Sequence, residues 1–235
     1  MRYVMSDIHG CYEEYRELLE KINFSDVDEL YVLGDAMDRG PEPIKVMQDL
    51  MCRPNVFYIL GNHDAIFLSI IKALAAESTG KEALSAYRAW MQDGGEPTVA
   101  QFLRLPLQGQ ADILEFLESA AAYEMLEENE CLYILVHAGL ENFSPSKELD
   151  EYDSVDFLVE RADYGKRYYP SERIFLVTGH TPTPLIREDK KPLVYCGNGH
   201  IAIDCGCVFG GQLAAYCIET GEVTYVQSKK VKVNG

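Results

Sequence analysis

The chain has 235 residues, of which 47% are hydrophobic and 25% charged, so it is long enough to form one large domain with a filled core. Its formal net charge of −17 excludes the broad basic face with which proteins bind nucleic-acid polymers, and no apolar run approaches the ~20 residues of a membrane span. We therefore expect a single domain over residues 1–235, located in the cytoplasm, with neither a nucleic-acid polymer nor a membrane as its partner. The composition leaves the oligomeric state open.

The seven cysteines form an odd set without a Cys-x-x-Cys pair, which argues against a disulfide framework and against a structural zinc site. A reducing compartment fits this pattern best. The acidic charge balance adds a second constraint, because an anionic substrate would need a locally positive pocket. Bound metal cations are one way to create such a pocket.

The first half of the chain alternates short apolar runs with stretches of helical periodicity. Strands are predicted at residues 2–5, 29–33 and 55–60, and helices at residues 12–22, 41–50, 65–76, 82–91 and 111–119. The pair Gly94-Gly95 is expected to stop the helix at residues 82–91. Trp90 and Phe102 flank this pair, and we favour core positions for them over a lid above the site. Residues 65–125 form a helical insert within the predicted domain.

The second half of the chain contains mainly strands. They are predicted at residues 123–126, 131–136, 173–178, 193–196, 200–204, 213–218 and 223–226. The last four follow one another without intervening helices, so we expect them to form a meander and a second sheet. Strands that alternate with helices, followed by strands alone, suggest an α/β protein with two packed sheets and helices outside them.

Five of the predicted strands end in residue types that bind metals or phosphate. In chain order these residues are Asp7 and His9; Asp35, Asp38 and Arg39; Asn62 and His63; His137; and His180. Each one alone would more often have an ordinary structural role. Because loops at the carboxyl ends of strands in an open α/β sheet converge on one site, their repeated occurrence predicts a single centre.

The residue types at these positions suit a pair of metal ions. Asp7 and His9 are two residues apart in extended chain and can hold one ion, while Asp35 has two oxygens that can reach two ions ~3.5–4 Å apart. The next three strand ends would complete the second ion's ligands with Asn62, His137 and His180. Mixed carboxylate, imidazole and amide ligands favour Mn²⁺, with Fe or Zn²⁺ as alternatives.

The remaining residues of these loops suit phosphoryl transfer. Arg39 can donate a planar fork of hydrogen bonds to two phosphoryl oxygens. His63 is the natural general acid for a leaving alkoxide, and Asp38 could orient His63 and keep it protonated. The sequence therefore predicts metal-assisted hydrolysis of a phosphate compound.

The five segments resemble the metallophosphoesterase signature of the PPP-type phosphoprotein phosphatases. They are residues 6–10, 34–40, 61–64, 137–139 and 179–181, and their only departure from the signature is Ser6, where the family has glycine. The resemblance covers residues 2 to about 215 and is closest to the bacterial and phage branch, which includes serine/threonine protein phosphatases and symmetrical diadenosine tetraphosphate hydrolases. It implies a calcineurin-like metallophosphoesterase fold, a two-sheet β-sandwich flanked by helices, with two divalent metal ions.

The resemblance also implies a second phosphate-binding arginine between the fourth and fifth segments. Arg161 is our choice, with Arg167 and Arg173 as alternatives, and the ligand Asn62 is expected to contact the phosphate as well. His200 matches no ligand segment, so we interpret it as a structural residue paired with Asp204.

The leading functional hypothesis is a phosphomonoesterase that hydrolyses phosphoserine or phosphothreonine, with phosphotyrosine as a further option, by direct attack of a hydroxide that bridges two metal ions. The alternative is a dinucleoside polyphosphate hydrolase, for which residues 65–116 are the expected place of an adenosine pocket. That segment is rich in aromatic residues, namely Phe67, Tyr87, Trp90 and Phe102. A non-catalytic binding module is disfavoured because every metal-ligand position and the general-acid position have residue types that can perform these roles.

Overall fold

The computed structural model describes residues 1–76 and 80–230. The strands are β1 (Arg2–Met5), β2 (Glu29–Val32), β3 (Val56–Tyr58), β4 (Tyr123–Glu128), β5 (Cys131–Val136), β6 (Ile174–Thr178), β7 (Tyr195–Gly197), β8 (His200–Ala202), β9 (Gln212–Cys217) and β10 (Val223–Gln227). The α-helices are α1 (Tyr12–Lys21), α2 (Pro43–Met51), α3 (Asn62–Ala75), α4 (Lys81–Trp90), α5 (Glu96–Phe102) and α6 (Leu107–Glu118). The strands form two five-stranded sheets, in the orders β10-β9-β1-β2-β3 and β4-β5-β6-β8-β7. The predicted two-sheet fold flanked by helices is confirmed.

The last four strands do not form a sheet of their own, so that prediction is wrong. β7 and β8 extend the second sheet, where β8 runs parallel to β6, whereas β9 and β10 return to the first sheet. β9 pairs antiparallel to β1, with Tyr3 opposite Cys217. Alternation of apolar and polar residues identifies a strand, but it does not identify which sheet edge the strand will join.

Three apolar clusters cover both faces of both sheets. Between the sheets, Val4 and Leu33 pack with Leu135 and Val177, and all four are fully buried. The outer face of the first sheet is covered by helices, whose buried side chains include Tyr15 of α1. The outer face of the second sheet is covered by the chain after β5. Full burial of each such side chain contributes roughly 1.5–3 kcal/mol, so the sandwich is a stable frame for the loops at its edge.

The helix α4 ends at Trp90, and the glycine pair interrupts the helical backbone as predicted. The turn Met91–Gly95 connects α4 to α5, and Gly94 within it has a non-helical φ of 104°. A side chain at Gly94 would lie 2.7 Å from Cγ of Arg39, whose N–H donates to the Gly94 carbonyl at 2.8 Å. The turn is therefore shaped by contact with the loop after β2. Trp90 and Phe102 are 2% and 1% exposed, which confirms that they are core residues.

The remaining composition-based expectations concern cysteines and membranes. All seven cysteines are free thiols, and four of them are buried. Within residues 1–76 and 80–230, no helix combines the length and apolarity that crossing a bilayer demands.

Candidate active site

The loops that follow β1, β2, β3, β5 and β6 meet at one edge of the sandwich. Backbone hydrogen bonds join them directly: the N–H of Asp7 donates to Gly34 at 3.1 Å, that of His9 to Asp35 at 2.9 Å, and that of Gly179 to His137 at 2.8 Å. The first and last of these loops are also joined, because the N–H of His180 donates to Oδ2 of Asp7 at 2.9 Å. The carboxyl ends of strands from both sheets thus converge, as the order of the motifs predicts.

The backbone of these loops adopts a conformation that side chains ordinarily avoid. Positive φ angles occur at Asp7 (52°), His9 (44°), Asp35 (53°), Asp38 (67°), Arg39 (65°) and His180 (61°). Left-handed backbone at a residue other than glycine costs about 1–3 kcal/mol and typically clusters at functional sites. The fold therefore maintains strained loops in order to aim these particular side chains.

The first group of ligand-type side chains is formed by His9, Asp35 and Asp7. Nε2 of His9 lies 3.6 Å from Oδ2 of Asp35 and 3.9 Å from Oδ1 of Asp7. Nδ1–H of His9 donates to the Met37 carbonyl at 2.7 Å, so Nε2 of the neutral ring is an acceptor, and Nη1 of Arg39 lies 2.8 Å from it. Burial lowers the pKa of His9 to about 3, even though Asp35 acts in the opposite direction. The imidazole is thus held in the neutral form that binds metals.

The second group is formed by His137, His180, Asn62 and again Asp35. Nδ1–H of His137 donates to the Leu33 carbonyl at 2.7 Å, which directs Nε2 into the group. This nitrogen lies 2.8 Å from Oδ1 of Asn62 and 3.6 Å from Oδ2 of Asp35. Nδ1 of His180 lies 2.9 Å from the same Asn62 oxygen, and burial followed by the charge of His137 lowers the pKa of His180 to about 4. Imidazole nitrogens, an amide oxygen and a carboxylate oxygen that converge in this way are donor atoms that bind divalent cations.

Asp35 lies between the two groups. Burial would raise its pKa, but His137, His9 and His63 outweigh burial and lower the pKa to about 2. Its other oxygen, Oδ1, accepts the backbone N–H of His63 at 3.0 Å. A side chain at Gly61 would lie 2.2 Å from this oxygen, so only glycine leaves room for the carboxylate. Asp35 is therefore ionised and placed to contact both groups.

His63 and Asp38 form a hydrogen-bonded pair beside Asp35. Nδ1 of His63 lies 2.8 Å from Oδ2 of Asp38. Burial would lower the pKa of His63, but the bond to Asp38 and the charge of Asp35 outweigh it, so the pKa is raised. The two Asp38 oxygens are held in place by Nε1–H of Trp90 at 2.7 Å and by the hydroxyl of Thr98 at 2.6 Å. Helices α4 and α5 thus fix the pair, a function that sequence reasoning missed.

Arg39 and Asp93 lie on the open side of His63. Nη2 of Arg39 donates to Oδ1 of Asp93 at 3.1 Å, and Nη1 lies 2.8 Å from Nε2 of His9. The other Asp93 oxygen is 3.4 Å from Nε2 of His63. Sequence reasoning missed Asp93, and the only local signal was its position beside the glycine pair.

A cavity of about 540 Å³ opens above these residues. Arg39, Asn62, His63 and Arg161 are among the residues that line it. Of the two alternative arginines, Nη1 of Arg167 donates to the Ser171 carbonyl at 2.9 Å, and Arg173 pairs with Glu130 at the surface. Arg161 is thus the candidate that the fold brings to the cavity.

Asp204 also lines this cavity, and the predicted pairing of Asp204 with His200 is wrong. Nε2–H of His200 donates to the Lys166 carbonyl at 2.7 Å, while Oδ1 of Asp204 accepts the N–H of Gly206 at 2.8 Å. Burial, together with the charge of Asp35, raises the pKa of Asp204 to about 7. The signal that could have identified it is its position just after a strand, as for the other site residues.

The raised pKa of Asp204 predicts a pH-dependent effect of Asp204→Asn. Because ionisation of this buried carboxyl opposes folding, its unfavourable contribution is complete above pH 7 and disappears as the pH falls toward the unfolded value of ~3.9. In chelator, the variant should melt about 2–8 °C above wild type at pH 8, the shift expected from ~1–2 kcal/mol, and the difference should shrink at pH 5. Scanning fluorimetry at both pH values measures this.

The control for Asp204→Asn is Asp189→Asn, which alters an exposed carboxylate paired with Arg187. It should show no comparable pH-dependent gain. Adding Mn²⁺ should reduce or reverse the gain at pH 8, because cations stabilise the neighbouring carboxylates. An equal gain at pH 8 and pH 5 would contradict the assignment of the charge to Asp204.

The profile of the calcineurin-like phosphoesterases matches residues 3–226. The chain belongs to this family. The chain of this metallophosphoesterase is 30% identical to the asymmetrical bis(5'-nucleosyl)-tetraphosphatase PrpE of Geobacillus sp. (strain WCH70), over 91% of this chain and 88% of the relative. Its structure resembles one described as that of a candidate diadenosine tetraphosphatase, with 22% identity, a TM-score of 0.65 and coverage of 97% and 94% of the two chains.

The fold is shared with protein phosphatases as well. A serine/threonine phosphatase of Saccharomyces cerevisiae aligns with 14% identity and a TM-score of 0.60, over 98% of this chain and 80% of that one. At such identity the likeness concerns the fold alone. The chain is therefore a metallophosphoesterase, a hydrolase whose family uses divalent metals, and two clusters of side chains, His9 with Asp35 and His63 and Asp35 with His137 and His180, are close enough to hold such ions.

Proposed function

We propose that this metallophosphoesterase hydrolyses dinucleoside polyphosphates such as diadenosine tetraphosphate. The observation that carries the proposal is the mixed lining of the cavity. The guanidinium groups of Arg39 and Arg161 suit phosphate, and the exposed apolar side chains of Leu185 and Phe209 line the same cavity. A phosphoryl group alone would use only the arginines of a cavity of about 540 Å³, whereas a nucleotide would engage both kinds of side chain. The name of the relative that is 30% identical to this chain supports the same substrate class.

The ligand-type residues divide between two divalent ions, for which the donor set favours Mn²⁺. One ion would be held by Asp7, His9 and Asp35. The other would take Asp35 again and the three remaining ligands, Asn62, His137 and His180. When bound, the ions would supply an activated water and positive charge for the phosphoryl oxygens.

The protein's own residues then bind the substrate and move a proton. Arg39 and Arg161 donate hydrogen bonds to phosphoryl oxygens and fix their orientation, and the amide of Asn62 contributes to the same contact. His63 gives the proton on Nε2 to the leaving oxygen, while Asp38 accepts Nδ1–H and stabilises the protonated ring.

A second candidate is the phosphomonoesterase that acts on phosphoserine or phosphothreonine. The paired His63 and Asp38 favour it, because a departing alkoxide needs a proton far more than a departing phosphate does. Hydrolysis of phosphoproteins is therefore the alternative function. Hydrolysis of dinucleotides remains the main proposal because of the apolar side chains that line the cavity.

Rates on two substrates test the choice. Protein loaded with Mn²⁺ should hydrolyse diadenosine tetraphosphate with a kcat/KM at least about tenfold above that for a phosphoserine peptide, because only the dinucleotide uses the apolar contacts, worth about 1.4 kcal/mol or more. Chromatography of the products locates the cleaved bond: AMP with ATP marks asymmetrical cleavage, and two ADP marks symmetrical cleavage. A higher kcat/KM for the peptide would overturn the proposal in favour of the phosphomonoesterase.

A further inference from the structure

Two large apolar side chains are exposed at the rim of the active-site cavity. Phe209 is 60% exposed and Leu185 is 61% exposed, and both line the cavity together with Pro182 and Pro184. A single exposed apolar residue is ordinary, but several apolar side chains that line one cavity beside charged groups mark a binding site. We call these four residues the apolar wall.

The backbone presents the apolar wall in a defined position. Phe209 ends a short 3₁₀ turn, Cys207–Phe209, that is bounded by Gly206 and Gly210 with φ of 68° and 88°. The N–H of Thr183 donates to the carbonyl of Asp204 at 2.8 Å, which ties the segment containing Leu185 to the segment containing Phe209. These two segments continue directly from the site loops after β6 and β8.

The apolar wall adjoins the phosphate-binding part of the cavity through Arg39. Cζ of Arg39 lies 5.4 Å from the centroid of the Phe209 ring, a distance at which cation and aromatic face attract each other. A ligand that reaches both the guanidinium and the ring must carry an anionic group next to a flat apolar group. A nucleotide has this combination, since every base presents an aromatic face that stacks on an aromatic side chain.

The aromatic residues first expected to form an adenosine pocket do not do so. Phe67, Trp90 and Phe102 are at most 2% exposed, and Tyr87 packs against Trp90 with ring centroids 6.1 Å apart. The expectation of a pocket within residues 65–116 is therefore wrong for these side chains, because they pack against one another within the apolar cluster that the helices form. The apolar wall is formed instead by residues C-terminal to this segment, after residue 181.

We propose that the apolar wall is a nucleobase subsite, in which one base of the substrate stacks on Phe209 and contacts Leu185. The inference rests on the proposed function and names the residues that select its substrate class. The four side chains of the wall carry no hydrogen-bonding group, so the base is held by stacking and apolar contact. Diadenosine and diguanosine tetraphosphate should therefore have KM values within about threefold of each other.

Phe209→Ala tests the subsite in protein loaded with Mn²⁺. The KM for diadenosine tetraphosphate should rise about tenfold, the effect of losing one base–aromatic stack, while kcat changes less than about threefold. With p-nitrophenyl phosphate as the reporter substrate, the inhibition constant of AMP should rise similarly and that of inorganic phosphate should stay unchanged. Phe209→Trp should retain wild-type values, because it keeps an aromatic face.

The matched control is Phe57→Ala, which removes a partly exposed phenylalanine stacked on Tyr31 in the first sheet. It should leave the KM for the dinucleotide and both inhibition constants unchanged. Melting temperatures of all variants verify folding, and Phe209→Trp keeps the inference testable if Phe209→Ala unfolds.

Three outcomes would overturn the nucleobase subsite. The first is an AMP inhibition constant that Phe209→Ala leaves unchanged. The second is an equal rise in the constants for AMP and phosphate, which would mean that the ring only orients Arg39. The third is a greater loss on a phosphopeptide with an aromatic residue beside the phosphoserine, which would identify a peptide subsite.

The two proposals fail in distinguishable ways. If wild type does not hydrolyse the dinucleotide but AMP inhibition depends on Phe209, the proposed function fails and the subsite stands. If the dinucleotide is hydrolysed with a KM that Phe209→Ala does not change, the subsite fails and the proposed function stands.

Discussion

Replacing His63 with asparagine should lower kcat on a phosphoserine peptide by about 10²–10⁴-fold, the usual contribution of a positioned general acid. On diadenosine tetraphosphate the loss should be about tenfold or less, because a departing phosphate is weakly basic and needs little protonation. The bond between Nδ1 of His63 and Asp38 supports this assignment, since it leaves Nε2 as the nitrogen that can give up a proton, and His63 lines the cavity. Steady-state rates with added Mn²⁺ on both substrates measure the two losses.

The control for His63→Asn is His200→Asn, which changes a buried histidine bonded to the Lys166 carbonyl. This variant should have the wild-type kcat on both substrates, and its melting curve verifies that it is folded. Equal losses on the two substrates in His63→Asn would contradict proton donation and indicate that His63 only supports the arrangement of the site.

Asp35→Asn should have the second large effect, on metal content as well as on rate. Asp35 is 3.6 Å from nitrogen atoms of both His9 and His137, so its carboxylate is shared by the two proposed ions. The variant should retain fewer than about one ion per chain and lose about 10²–10⁴-fold in kcat, because metal ions supply several kcal/mol and each ~1.4 kcal/mol is tenfold. Elemental analysis of protein purified without chelator measures the content.

A second readout for Asp35→Asn separates metal binding from catalysis. Mn²⁺ that binds only the folded wild type should raise its melting temperature in a concentration-dependent way, and the variant should lose most of this rise. Asp189→Asn, at an exposed ion pair, should behave as wild type. Two ions per chain with wild-type activity in Asp35→Asn would exclude the shared-carboxylate arrangement.

The positions of the ligand-type residues could be predicted because their signal is local. Each follows a short apolar strand, and the rule that strand carboxyl ends converge needs no knowledge of distant contacts. Asp204 follows a strand in the same way, but its neighbour His200 suggested a structural pair. The missed contacts have a common reason, since Trp90 and Thr98 reach Asp38 from 52 and 60 residues away.

The apolar wall of the cavity was the least predictable part of the candidate site. Aromatic residues at helical spacing in residues 65–116 indicated a nucleotide pocket, but the face that carries them packs into the core. Phe209 gave no comparable signal, because its exposure depends on two glycines with positive φ and on the bond between Thr183 and Asp204. Neither feature produces a periodic pattern in the sequence from which it could be predicted.

The sequence by itself determined the class of chemistry, because metal ligands, an arginine and an acid residue recur at strand ends whose relative placement follows from strand direction. The tertiary structure alone decided which sheet received the C-terminal strands, how Asp93 and Asp204 reached the site, and where the apolar wall lies. These depend on contacts between residues far apart in the chain. Such contacts form only when both sheets pack, so no local pattern of residues encodes them.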